Sequence, residues 1–137
     1  MELDADRGLL FIADSGNRRI ATLDIELGTQ GSGIFPNYDG TSQYYMNDAV
    51  IESFVDEDSS VELVAPSGLA LHGNMVFVSD NSTSKIYAFD IDSAELIDWI
   101  DLSSVVPTGG LMGLAFDAKG NLFVTDEVNS TVLKLEA

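Results

Sequence analysis

Three times along the chain an apolar run ends in an aspartate, crosses a short polar turn and re-enters an apolar run. The first copy is Leu9-Leu10-Phe11-Ile12-Ala13-Asp14-Ser15-Gly16-Asn17-Arg18-Arg19-Ile20. The second is Met75-Val76-Phe77-Val78-Ser79-Asp80-Asn81-Ser82-Thr83-Ser84-Lys85-Ile86, and the third runs from Leu122 through Asp126 to Val132. The turn aspartates, Asp14, Asp80 and Asp126, are 80 − 14 = 66 and 126 − 80 = 46 residues apart. The second spacing fits repeat units of about 40–50 residues. The first is longer by about half such a unit, which places an insertion between the first two copies.

Downstream of each aspartate the register holds. Three residues on stands Asn17, Thr83 or Asn129, and three more bring Ile20, Ile86 or Val132. Upstream, the later copies share Gly68-Leu69-Ala70-Leu71 and Gly113-Leu114-Ala115-Phe116, each followed by a turn. Each unit therefore reads as three strands. The middle one is a continuous apolar run, as expected of a strand covered on both faces. The Asx turn has its own mechanism, since a short carboxylate can accept nearby backbone N–H groups. A fourth, outer strand is expected at Leu96–Leu102, with a short helix as the rival, and another at Val50–Val55. Between lies the insertion, residues 28–63. It opens on the flexible polar stretch Gly28-Thr29-Gln30-Gly31-Ser32-Gly33 and carries the aromatic cluster Phe35, Tyr38, Tyr44 and Tyr45.

Four-stranded antiparallel units at this period are the blades of a β-propeller. The Asp14–Ile20 turn, with Pro66-Ser67-Gly68-Leu69-Ala70 ahead of the second blade, resembles the NHL repeat, and the Trp-Asp signature of WD40 blades is absent. The resemblance implies an all-β fold of NHL-like four-stranded blades. Blade one spans about 1–63 with the insertion, blade two about 64–104, and blade three about 105–137 without its outer strand. Closed propellers have about 4–8 blades. The expectation is therefore a fragment, or one half, of a six-bladed ring.

Composition narrows the partners. With 23 acidic residues against 6 basic ones, the net charge is −17. Such a surface repels nucleic acid and anionic lipid and favours cationic partners or divalent ions. The plain reading is solubility, and an extracytoplasmic or secreted setting suits it. There is no Cys, which excludes disulfides and thiolate metal sites. No apolar run approaches the ~18 residues of a membrane span, and the acidic N-terminus lacks the layout of a signal peptide.

The candidate chemistry is sparse. His72, the only histidine, reads as an exposed turn residue. Enzymes that the fold resembles, such as amidating lyases, bind metal through several histidines, which this chain cannot supply alone. Asp14, Asp80 and Asp126 hold one position in the repeat and read as turn formers. Asp56, Glu57 and Asp58 make an acidic turn that could hold Ca²⁺ but lacks the spacing of an EF-hand loop. Arg18-Arg19 is the only basic pair, too small a patch for RNA. Asn81-Ser82-Thr83 and Asn129-Ser130-Thr131 fit the glycosylation sequon. The partner-binding candidates are Arg18, Arg19, Tyr38, Tyr44, Tyr45 and Asn129. No nucleophile–base pair stands out. The expected function is a non-catalytic binding or assembly scaffold for protein, peptide or glycan, as a homodimer or as a subunit of a larger complex. The alternative is a piece of a lactonase-like or lyase-like propeller whose metal ligands lie in other blades.

Overall fold

The computed structural model describes residues 1–36 and 39–137. The fold is all-β, built from antiparallel sheets in chain order. The first sheet contains β1 (Glu2–Asp4), β2 (Leu9–Asp14) and β3 (Arg19–Asp24). A separate hairpin follows, β4 (Thr29–Gly33) with β5 (Tyr44–Asn47), before β6 (Ile51–Val55) returns to the outer edge of the first sheet beside β3. The second sheet is a meander of β7 (Pro66–His72), β8 (Met75–Asp80), β9 (Lys85–Asp90) and β10 (Leu96–Asp101). The third holds β11 (Leu111–Phe116), β12 (Leu122–Asp126) and β13 (Thr131–Leu135), and β13 is its edge. No helix of the described residues is long and apolar enough to cross a membrane.

Side-chain alternation divides each sheet between two neighbours. Phe11 of β2 packs in one cluster with Leu69, Val76, Val78, Tyr87 and Phe89 of the second sheet. The other face of that sheet, with Ile86 and Phe77, packs on Leu111, Leu122, Val124 and Leu133 of the third. The second sheet is thus covered on both sides, and Val76, Val78 and Asp80 of its middle strand are fully buried. In β12 the expected two-sided burial fails: Val124 is buried, but the next residue, Thr125, is exposed. Its outward face has no neighbouring sheet among the described residues.

The outer strands expected near Val50–Val55 and Leu96–Leu102 form, the latter as β10 and not as a helix. The polar stretch after Gly28 does not stay flexible. Residues 29–33 are β4, paired with β5 at Thr29↔Asn47, Gln30↔Met46 and Gly33↔Tyr44. Backbone pairing needs no apolar side chains, and the glycines permit a close approach. A Cβ on Gly31 would stand 2.7 Å from the Asn47 side-chain nitrogen.

Candidate functional site: a turn face and its charged cleft

The three aspartate turns share one backbone. The fourth residue after each aspartate is left-handed: Arg18 at φ 54°, Ser84 at φ 55° and Ser130 at φ 54°. A non-glycine residue rarely takes this conformation, so its recurrence at one register position marks a built turn. The way each carboxylate closes its turn differs. Asp80 is fully buried. One of its oxygens accepts the N–H groups of Val64 (2.6 Å) and Ala65 (3.2 Å). The other accepts those of Ser82 and Thr83, both at 3.1 Å. Asp126 accepts the Asn129 N–H at 3.1 Å and the Asn129 amide side chain at 2.7 Å. Asp14 turns mainly to side chains: Arg19 Nε at 2.8 Å and Asn17 Nδ2 at 2.8 and 2.9 Å. The Arg19 hydrogen bond, then that of Asn17, holds the Asp14 carboxyl below its ordinary value.

The residue after each of the first two aspartates ties its sheet to the next. The Ser15 hydroxyl donates to the carbonyl of Pro66, the first residue of β7. Asn81 Nδ2 donates to the carbonyls of Gly109 (2.9 Å) and of Leu111 (2.7 Å), the first residue of β11. Ser79 adds a bond to the Met112 carbonyl at 3.1 Å. These clamps settle what the sequons are doing locally. Both amide hydrogens of Asn81 are engaged, and Asn129 donates to Asp126 and, at 3.4 Å, to the Val105 carbonyl. A glycan on Asn81 would have to displace the clamp.

The first turn faces an open cleft of about 460 Å³. Asn17, Arg18 and Arg19 line it together with Ser53, Asp56, Glu57, Asp58 and Glu62. The fold thus unites the basic pair with the acidic turn that the sequence separates by some forty positions. Arg19 is fixed by Asp14 and by the Ser53 hydroxyl at 3.0 Å. Arg18 stays free to respond: its side chain is 63% exposed, and its nearest charge is Glu62 at 3.7 Å, across an equally exposed pair. Such a pair contributes little by itself.

The remaining candidates lie elsewhere. Tyr44 and Tyr45 stand exposed on β5, outside the lining of the cleft. Tyr38 lies outside the described residues. Asn129 belongs to the turn of the third sheet, and His72 stacks on Phe116 with ring centroids 4.6 Å apart. Asp56 accepts the Asp58 N–H at 3.2 Å, while its own N–H donates to Ser59 Oγ at 3.0 Å. Among the described residues, no group of three or more His, Asp or Glu converges in a way that could hold a metal ion.

A further use of the acidic residues was not visible in the composition. Asp4, Asp24, Asp90, Asp101 and Asp117 each accept a backbone N–H two residues on, at 2.8–3.1 Å. Much of the acidity therefore serves the many turns of a meander, beyond any effect on solubility.

No protein-family model matches the chain, and no curated protein sequence matches it. Among solved structures, the crystal structure of the computationally designed Ika4 protein is similar with a TM-score of 0.46 and 16% identity, over 94% of this chain and 85% of that one.

Proposed function

We propose that the three sheets are NHL-like propeller blades, part of a six-bladed ring when complete, and that the chain works as a non-catalytic scaffold that binds protein or peptide at the cleft beside Arg18. The observation that carries this reading is the cleft itself. It offers an exposed guanidinium among several carboxylates, at the loop end of a sheet, where binding residues are commonly placed. The mixed charge suits a peptide that brings both an acidic and a basic group. The chemistry favours binding over catalysis. The aspartates with displaced titration, such as Asp14, Asp101 and Asp117, are all held ionised by hydrogen bonds. A general acid at neutral pH needs the opposite displacement.

The test is a display selection of random peptides on the immobilised chain, counter-screened against Arg18→Gly. Glycine suits the left-handed backbone at this position, so the variant removes the guanidinium and keeps the turn. The reading expects enriched peptides whose affinity falls at least tenfold in the variant, with an unchanged melting temperature. Peptides indifferent to Arg18 would defeat it.

A further inference from the structure

The two arginines of the first turn are not equivalent. Arg19 is committed: its Nε donates to Asp14 at 2.8 Å and its Nη1 to the Ser53 hydroxyl at 3.0 Å. Arg18 lies 3.7 Å from Glu62, and both of these side chains are exposed. An ion pair so open to water contributes little. A ligand that offers each of the two side chains a new partner therefore exchanges it at small cost.

The carboxylates of the cleft divide in the same way. Asp56 serves its own turn, where its Oδ1 accepts the Asp58 N–H at 3.2 Å and the Ser59 hydroxyl at 3.4 Å. Glu57 and Asp58 are exposed, and among the described residues their carboxylates have no ion-pair partner. The cleft thus presents one exchangeable guanidinium, that of Arg18, beside the exchangeable carboxylates of Glu57, Asp58 and Glu62. The net charge of −17 adds a field of the same sign, which draws cations toward the surface. Among the described residues these carboxylates do not converge as metal ligands would. A side-chain cation makes no such demand, since its N–H groups point in separate directions and can each reach a different carboxylate.

We infer that the cleft selects a peptide segment with more basic than acidic residues, in which one Asp or Glu takes Arg18, a nearby Lys or Arg takes Glu62, and a further basic residue meets Glu57 and Asp58. The 3.7 Å between Arg18 and Glu62 sets the spacing. Ligand charges that replace this pair must lie on one side of the peptide, which in an extended segment means two residues apart. The pattern that fits is acidic, any, basic, any, basic. This inference rests on the reading of the cleft as a peptide site and adds to it the sign and spacing of the charges.

Three synthetic peptide libraries are the probes, with random uncharged residues between the fixed ones: Glu-x-Lys-x-Lys, Glu-x-Gln-x-Gln and Lys-x-Glu-x-Glu. On the immobilised chain the first should be retained about tenfold better than the second, and the third least of all. Glu57→Gln with Asp58→Asn should lower retention of the first library about tenfold, with the melting temperature unchanged. Glu95→Gln with Glu127→Gln alters the net charge equally, at exposed positions outside the cleft. It should lower retention far less, which separates local recognition from the field of the whole chain. Equal losses in the two double variants, or equal retention of the first and third libraries, would overturn the inference. Retention that needs Arg18 but not the fixed lysines would also overturn it and leave the cleft reading in place, whereas retention indifferent to Arg18 would overturn both.

Discussion

Asp14 and Asp80 occupy the same place in the same turn, yet they hold it by different means. Asp80 is buried and gathers four backbone N–H groups, two of them from the loop that leads into its own sheet. Asp14, its side chain 24% exposed, is held chiefly by the side chains of Arg19 and Asn17. One design welds the turn into the core of the second sheet. The other leaves the first turn at the surface, where its arginines line a cleft. A repeated motif can therefore be structural in one copy and available for binding in another, and the local sequence of the turn does not say which.

The comparison breaks most severely at Asp80. Asp80→Ala strands four N–H groups in a buried site, and losing such bonds costs ~1–3 kcal/mol per group, less where water can enter. We expect a net loss of about 3–5 kcal/mol in urea unfolding. Next comes the seam between the second and third sheets. A Cβ on Gly68 would overlap the Met112 carbonyl oxygen, a backbone atom that cannot turn aside. Gly68→Ala should cost about 2–3 kcal/mol by the same measurement. Asn81→Ala removes one sheet-to-sheet clamp and should cost about 1–2 kcal/mol, more than Ser15→Ala in the first turn.

The smallest effect concerns acid. Asp14 is held below its ordinary value of 3.8, first by Arg19. A depressed carboxylate stabilises the fold above the unfolded value, and this contribution is lost as pH falls through the folded value. Asp101 and Asp117 are displaced in the same direction, by hydrogen bonds from Ser103 and Asn121 respectively. Stability should therefore decline below about pH 4. Asp14→Asn should make that decline slightly shallower while leaving the melting temperature at pH 7 almost unchanged.

The periodicity of Asp14, Asp80 and Asp126 carried the three antiparallel sheets and their strand order, because alternation and turn chemistry are local properties. The division of labour among the aspartates was out of reach. It depends on Val64 and Ala65, sixteen and fifteen residues before Asp80, and only the folded chain brings their amides to the carboxylate. The cleft was half visible. Arg18-Arg19 and Asp56-Glu57-Asp58 each stood out as charged, but their meeting across β3 and β6 is a matter of sheet order. The β4–β5 hairpin was missed because glycines, serine and glutamine carry no strand signature, while their backbone pairs as well as any other.

Amide hydrogen exchange under native conditions tests the contrast between the two turns most directly. The second and third residues after each aspartate are Gly16 and Asn17 in one turn, Ser82 and Thr83 in the other. If Asp80 welds its turn into the core, the Ser82 and Thr83 amides exchange only through global unfolding, and those of Gly16 and Asn17 through local opening at least a hundredfold faster. Equal protection at the two turns would contradict the account.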